Sequence, residues 1–298
     1  FARCNRNVTA AGAAAAAAHC QAAIDRAEAM QPPKRAIAIA ARTRLGHFLR
    51  LQGKPSEALA MLRKTVDEAT ALHGPQHPDV AIARYVLGIA LISGEDFDAG
   101  IAELRAALDI RRAAFPGNTV QVAESLQGLG DALASAGNHT EAIPLLEQAL
   151  AMLDAAREAD SAHAANAHVL LGMSLEAVDR GRDALPHYIR AADIADRTLQ
   201  HREAIAAMAL RLAANTLRDR PADGVPHLER AVRLLERGKA SPADLGMTQF
   251  RLGQFLAELG PRERARARAT AEAARASFAA AGATAEVAEV DAFLRAQR

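Results

Sequence analysis

Aromatic residues are scarce in this sequence of 298 residues. They make up 3% of the chain, and tryptophan is absent. Proteins that bind single-stranded nucleic acid stack its bases on aromatic side chains, which this chain can hardly supply. A basic excess is also missing, because 36 Lys and Arg residues against 35 Asp and Glu residues leave a formal net charge of +1. Phosphate binding depends on such an excess, so we expect no nucleic-acid partner.

Cysteines and long apolar runs are equally rare. The two cysteines, Cys4 and Cys20, are too few for a cysteine metal site or a disulfide framework. They are either two unconnected thiols or a single bridge formed in an oxidising compartment. The compartment is not fixed by the sequence: the cytoplasm is favoured, and the periplasm is the alternative if the two cysteines are bridged. No stretch of 18 apolar residues occurs, so we expect no membrane insertion by this chain.

Motifs that carry catalysis are absent too. The sequence has no P-loop and none of the glycine-rich, catalytic-loop or metal-binding motifs of protein kinases. Gly128 and Gly130 lack the third glycine of a dinucleotide-binding turn. His163 and His168 are five residues apart, which does not place two ligands on one helical face. We therefore expect no catalytic residue, no cofactor and no metal site.

Alanine and a long-period repeat dominate what is present. Hydrophobic residues reach 50%, largely through alanine, the strongest helix former, which predicts an all-α fold. Leu-Gly pairs recur at intervals of 42 residues. Each glycine is followed 12 residues later by a small residue and 16 residues later by a large one; the glycines are Gly46, Gly88, Gly130 and Gly172, and the large residues are Leu62, Leu104, Leu146 and Tyr188. A fixed period of this kind predicts a solenoid of stacked helical hairpins.

The pattern L-G-x-x-L followed by A-x-x-x-L-x-x-A resembles the tetratricopeptide repeat. The linker from Gly74 to Ala81, with its His-Pro-Asp sequence, is similar to that of the kinesin-light-chain type. The resemblance implies a right-handed superhelical solenoid of about six helix-turn-helix repeats with a capping helix. We expect one solenoid over residues 1–298, made of a half-repeat at 9–30, repeats at about 34–72, 78–114, 119–156, 161–198, 203–237 and 242–281, and a capping helix at 284–296.

The resemblance also implies which side chains line a concave, partner-binding groove, because in this family the first helix of each hairpin faces it. The positions that match are Thr43, His47, Arg50, Ile82, Tyr85, Ile89, Glu124, Gln127, Asp131, Asn166, Met173, Met208, Arg211, Asn215, Arg218, Phe250 and Gln254. Their spacings of three and four place each set on one helical stripe.

The apolar members of this groove have two interpretations. Ile82, Tyr85 and Ile89 are either an exposed binding strip or buried between neighbouring first helices by the superhelical curvature. Under the first interpretation, alanine at Tyr85 or Phe250 weakens partner binding without unfolding the stack. The Lys and Asn set that binds a terminal carboxylate in chaperone-binding members of the family is absent, so that ligand is disfavoured.

These observations predict a non-catalytic scaffold that binds a protein or peptide in a concave groove. The alternative is a sensory or docking region of a multi-domain bacterial signalling enzyme whose serine/threonine kinase domain lies outside this chain. It is motivated by residues 264–294, which resemble the carboxyl ends of bacterial receptor-like kinases. The first residue is Phe1 and not methionine, so we expect the sequence to be part of a longer polypeptide.

Overall fold

The computed structural model describes residues 12–117, 119–198 and 203–297. These residues form fourteen α-helices and no strand, which confirms the predicted all-α repeat fold. The chain divides into two compact units, Phe1–Ala156 and Arg157–Arg298. Each unit is described by itself below.

Unit 1 consists of a single helix followed by three helical hairpins. Each hairpin contains a first and a second helix joined by a short turn. The helices of unit 1 are α1 (Ala13–Ala29), α2 (Arg35–Leu51), α3 (Pro55–His73), α4 (Pro78–Ser93), α5 (Phe97–Ala114), α6 (Val120–Ser135) and α7 (His139–Ala155). Cys20 is fully buried in the contact between α1 and α2, and Cys4 lies outside the described residues.

Unit 2 also contains three hairpins, and it ends with an additional helix. Its helices are α8 (Ala162–Ala177), α9 (Gly181–Thr198), α10 (Glu203–Asn215), α11 (Pro221–Arg237), α12 (Pro242–Glu258), α13 (Arg264–Ala280) and α14 (Thr284–Ala296), with a 3-10 turn at Pro261–Glu263 before α13. Among the helices that the structure describes in both units, none is long and apolar enough to cross a membrane. The expectation of a single solenoid over the whole chain stays a prediction.

The glycines of the repeat permit close packing within each hairpin. A Cβ atom added to Gly46 would lie 2.6 Å from Leu62, and one added to Gly172 would lie 2.6 Å from Tyr188. Gly88 faces Leu104 in the same way, at 2.7 Å. The large residue that follows 16 positions later therefore occupies the space that a side chain at the glycine would need. This contact explains why the sequence keeps glycine and the large residue in a constant register.

Proline and short polar side chains set where the helices begin. Pro78 and Pro242 stand in the first turns of α4 and α12, where a missing backbone N–H costs nothing. The side chains of Asp96 and Ser161 accept hydrogen bonds from the amides of Ala99 and Ala164 at the starts of α5 and α8. Such caps satisfy donors that the first helical turn leaves without partners. The hairpin bounds follow from this local chemistry.

Ion pairs link neighbouring second helices within each unit. In unit 1, Arg105 on α5 pairs with Glu141 on α7. In unit 2, Arg230 on α11 binds Asp193 and Asp196 on α9, with Nη–Oδ distances of 2.7 and 3.1 Å. These contacts join second helices of consecutive hairpins, so they support the stacking of the hairpins.

Candidate partner-binding surface

First helices of unit 1 lie side by side, because α2 contacts α4 and α4 contacts α6. This arrangement places the predicted groove residues of three hairpins on neighbouring helices. At the middle of the set, Tyr85 on α4 lies close to charged residues from the other helices. Arg50 on α2 and Glu124 and Asp131 on α6 all act electrostatically on its hydroxyl. Burial, as the main cause, raises the pKa of Tyr85 to about 12.

Tyr85 is held by contacts from both helices that flank its ring. The guanidinium of Arg111 on α5 lies over it, with Cζ 5.1 Å from the ring centroid. A Cβ atom added to Gly128 on α6 would be only 2.6 Å from the ring and its hydroxyl. Arg111 is 6% exposed, and it donates hydrogen bonds to the carbonyl of Gln121 at 2.8 Å and to Ser125 Oγ at 2.9 Å. Tyr85 is therefore a packing residue of unit 1 as well as part of its surface.

Polar groups beside Tyr85 lack protein partners. Nε of Arg50 and Oε1 of Gln127 are buried, and neither has a hydrogen-bond partner among the described residues. Burial lowers the pKa of Arg50 and raises the pKa of Asp131, because both charged groups are partly removed from water. The pKa of His47 is lowered by burial and by the positive charges of Arg50 and Arg44. Both unpaired atoms are closed to solvent, so a ligand reaches them only when the Arg50 and Gln127 side chains turn outwards.

Unit 2 carries an arginine-rich patch, which we define as Arg211 on α10, Arg218 in the turn that follows α10, and Arg251 on α12. Arg211 donates to Thr248 Oγ1 at 3.3 Å, and Arg251 donates to Gln254 Oε1 at 3.0 Å. Within the part of unit 2 that the structure describes, no carboxylate forms an ion pair with these three residues. Burial and the charges of Arg218 and Arg211 lower the pKa of Arg251. The carboxylates of Asp244, Glu258 and Glu289 act on Arg211 and Arg251 without an ion pair, so the positive charge of the patch is only partly compensated.

A cavity of about 510 Å³ opens beside this patch. Arg218, Arg251, Gln254 and the carboxylate of Glu258 contribute its polar wall, and Phe255 and Phe293 contribute an apolar wall. On the same unit, Oδ1 of Asn215 is buried and has no hydrogen-bond partner in the described part of the chain. The combination of guanidinium groups, an amide and aromatic rings can accommodate a side chain with both apolar and acidic parts.

Several apolar side chains at predicted groove positions are exposed. Ile82 is 44% exposed and Met173 is 48% exposed. Met208 on α10 is exposed as well, and so is Met247 on α12, which the repeat register places at the position equivalent to Ile82. Ile89 is only half-buried, and it lies one turn after Tyr85 on α4. Both interpretations of the apolar strip therefore hold for different residues: Ile82 and the methionines face solvent, whereas Tyr85 packs between helices.

Two predicted groove residues are in the interior, so the expectation that they line an open surface is wrong for them. Thr43 is 4% exposed, and its buried hydroxyl is satisfied within α2 by donating to the carbonyl of Ile39. Phe250 is 8% exposed, since α14 covers it and Phe293 meets it edge-on at 5.6 Å between ring centroids. Alanine at Phe250 should accordingly destabilise unit 2. Asn166 is exposed, and Glu124 lies 3.6 Å from Nη1 of Arg111.

Residues outside the repeat register were not found from the sequence. Arg111 belongs to a second helix and Arg251 follows a groove position directly, so no stripe rule selects either of them. A third group, His73, His77 and Asp79, meets where α3 ends and α4 begins. The sequence feature that points to this group is the spacing of four residues between the two histidines. Because α3 ends at His73, the two histidines do not share a helix, and helical periodicity cannot predict that they meet.

A second cavity, of about 470 Å³, lies between α1, α2 and α3 and includes no predicted groove residue. Arg42 is part of its wall and pairs with both Glu28 and Glu68. The charges at this cavity are thus compensated internally, whereas those of the arginine-rich patch are only partly compensated.

Comparison with known proteins identifies the repeats. The family model for the tetratricopeptide repeat matches residues 36–111 and 91–155. Residues 36–155 are tetratricopeptide repeats. The family resemblance read from the Leu-Gly register is therefore confirmed there, while none of the curated proteins matches the chain.

Solved structures share the fold of the repeats at low sequence identity. A putative kinesin light chain with nearly identical TPR-like repeats from Podosopora anserina aligns with a TM-score of 0.59 and 16% identity, covering 67% of this chain and 96% of that one. BtubC (BKLC) from P. vanneervenii aligns with a TM-score of 0.59 and 16% identity, covering 75% and 88%. The apo form of the quorum sensor NprR from B. thuringiensis aligns with a TM-score of 0.63 and 13% identity, covering 85% and 69%. These similarities extend the all-α repeat fold beyond the matched residues.

Proposed function

We propose that the chain is a non-catalytic scaffold that binds a protein or peptide ligand on the first-helix surfaces of its units. The observation that carries this proposal is the set of hydrogen bonds left unmade at predicted groove positions. Arg50, Gln127 and Asn215 each hold a buried polar side-chain atom that has no partner in the described structure. Buried polar groups in folded proteins are nearly always paired, and leaving one unpaired costs about 1–3 kcal/mol. A bound ligand supplies the missing partners once these side chains turn outwards to meet it.

The surrounding residues support a peptide-like ligand. Exposed Ile82, Met208 and Met247 offer apolar contact area, and methionine adapts to ligands of different shape. The arginine-rich patch favours acidic side chains on the ligand, because guanidinium groups bind carboxylates through two parallel hydrogen bonds. Stacked repeats are well suited to this role, since they create extended binding surfaces from short units.

A peptide-display selection against the purified chain tests the proposal, followed by affinity measurements on variants. Replacing Gln127 or Asn215 with leucine should weaken binding of the selected peptide about tenfold. This loss corresponds to one hydrogen bond of about 1.4 kcal/mol. The same variants should melt at or above the wild-type temperature without peptide, because an unpaired polar group has been removed.

Ser174 provides a matched control. Its Oγ is also buried without a partner, but it is 0% exposed inside unit 2 and is not a groove position. Ser174→Ala should leave peptide affinity unchanged. Equal affinity of wild type, Gln127→Leu and Asn215→Leu for every selected peptide would refute the proposal. The alternative, a docking region of a kinase, stays a prediction.

A further inference from the structure

The junction between α3 and α4 in unit 1 brings together three side chains that can bind a metal ion. His73 is the last residue of α3, His77 caps α4, and Asp79 stands in the first turn of α4. Nε2 of His73 and Nδ1 of His77 are 3.6 and 3.8 Å from Oδ2 of Asp79. All three donor atoms lie within 4.8 Å of one another.

The contacts of His73 provide a second, independent observation. Its Nε2 is buried, yet it has no hydrogen-bond partner within the described residues. Its ring is stacked on that of His77, with 4.4 Å between centroids and 17° between planes. Neither the stacking nor the helix end uses the lone pair or proton of Nε2. A buried imidazole nitrogen without a hydrogen bond, next to a second imidazole and a carboxylate, is available to coordinate a metal ion.

The observed distances are close to those of a zinc site. Zinc binds imidazole nitrogen and carboxylate oxygen at about 2.0–2.1 Å, so donors around a tetrahedral ion are roughly 3.3 Å apart. Each nitrogen therefore needs to move only a few tenths of an ångström towards Asp79. The two rings must also turn out of their parallel stack, because the lone pair of an imidazole lies in the ring plane and both lone pairs have to point at one ion. Nδ1 of His77 now accepts a hydrogen bond from the Asp79 amide at 3.2 Å. The ion takes the place of that bond, and the His77 side chain, which is 40% exposed, has room to turn.

We propose that His73, His77 and Asp79 bind a divalent metal ion of the zinc type, with water completing its coordination. Two imidazoles and one carboxylate are ligands that zinc accepts, and three protein ligands leave a position for solvent. The ion joins the end of α3 to the start of α4, so it stabilises the junction between two consecutive hairpins. None of the three residues is a predicted groove position, and the proposal differs from the sequence-based expectation that the chain binds no metal.

Calorimetric titration of the untagged, chelator-treated chain with zinc sulfate tests the proposal. Wild type should bind one zinc ion with a Kd of about 10 µM or tighter and should melt a few degrees higher with zinc present. His73→Ala and Asp79→Asn should each weaken zinc binding at least tenfold and abolish the thermal shift. Asp79→Asn keeps the backbone N–H that donates to Nδ1 of His77, so the start of α4 is preserved. This variant therefore tests zinc binding even if His73→Ala folds poorly.

A second histidine pair supplies the matched control. The Nδ1 atoms of His168 and His187 in unit 2 are 3.0 Å apart. Among the residues that the structure describes, no third His, Cys, Asp or Glu side chain completes a metal site with them. His168→Ala should therefore bind zinc as wild type does. The proposal is overturned if wild type binds zinc more weakly than about 100 µM, if Asp79→Asn binds it as tightly as wild type, or if the loss occurs in His168→Ala instead.

Discussion

The guanidinium carbon of Arg111 lies 5.1 Å from the centroid of the Tyr85 ring. Arg111 comes from a second helix and Tyr85 from a first helix, and the same ring contacts Gly128 of the next hairpin. Tyr85 thus connects two hairpins of unit 1. The guanidinium is buried, donates two hydrogen bonds from Nη1 and lies 3.6 Å from Glu124, with the aromatic ring beneath it. This arrangement is stabilising, because the charge keeps partners when it leaves water.

Replacement of Tyr85 should therefore affect stability before it affects binding. Tyr85→Ala should lower the free energy of unfolding by about 2–4 kcal/mol, because it removes the ring between Arg111 and Gly128. Tyr85→Phe keeps the ring and should cost less than about 1 kcal/mol. Urea denaturation followed by circular dichroism measures both. If Tyr85→Ala is as stable as wild type, the ring does not connect the hairpins.

The register of the repeat can be tested at Gly88. A Cβ atom there would lie 2.7 Å from Leu104 and 2.9 Å from the carbonyl oxygen of Gly100, and a backbone atom cannot move aside easily. Gly88→Ala should destabilise the chain by about 1–3 kcal/mol. Gly181, at the start of α9, has nothing within 4 Å of its added Cβ. Gly181→Ala should be neutral or stabilise the chain by up to about 1 kcal/mol, and the opposite ranking of the two melting temperatures would contradict the packing described here.

Stability should fall between neutral pH and pH 4, in part because of His168. Burial, followed by the charges of His187 and Arg190, lowers the pKa of His168 to about 4. The folded chain therefore keeps His168 neutral while the unfolded chain protonates it near pH 6.5, so stability is present above pH 6.5 and is lost as pH falls towards 4. The loss amounts to about 2 kcal/mol at most after allowance for partial exposure.

His168→Gln should flatten this pH dependence without removing it. His47 and His227 contribute in the same direction, because burial lowers the pKa of both. Melting temperatures measured at half-unit steps from pH 7.5 to 4.5 provide the comparison. A variant profile as steep as that of wild type would show that His168 is not protonated on unfolding.

The ion pairs between second helices should contribute a salt-dependent part of the stability. Arg230 binds two carboxylates of α9, and Arg237 binds Asp196 as well, at 2.6 Å. Arg230→Gln should lower the free energy of unfolding by about 1 kcal/mol at low salt. The difference should shrink in 0.5 M sodium chloride, since partly exposed charges are screened. Chemical denaturation of wild type and Arg230→Gln at the two salt concentrations measures this difference. A stability loss that is the same at both concentrations would show that Arg230 stabilises the chain by packing and not by its charge.

Sequence reasoning located the hairpins because their contacts recur at one spacing. Gly46 packs against Leu62 as Gly172 packs against Tyr188, and the constant spacing of 16 residues predicts both contacts. Exposure was harder to predict, since it depends on what a neighbouring element covers. Phe250 occupies a groove position in the register but lies beneath Phe293 of α14. No repeat of α14 exists elsewhere in the sequence, so the pattern could not indicate this contact.

Side chains that come from different helices were beyond the reach of periodicity. Arg111 reaches Tyr85 from a second helix, and Arg251 joins Arg211 and Arg218 from the next hairpin. Whether Gln127 and Asn215 would find partners depends on distances of a few ångströms between neighbouring helices. The sequence therefore indicated which helices carry the predicted groove positions, while the structure shows which of their polar groups remain unpaired.

Photo-crosslinking of a display-selected peptide tests the central claim most directly. A benzoylphenylalanine residue is placed at exposed first-helix positions, Ile82 or Met208, and at exposed second-helix positions, Arg63 or Arg233. The account predicts a covalent peptide adduct from at least one first-helix position and none from the second-helix positions. Adducts from Arg63 or Arg233, with none from Ile82 and Met208, would contradict it.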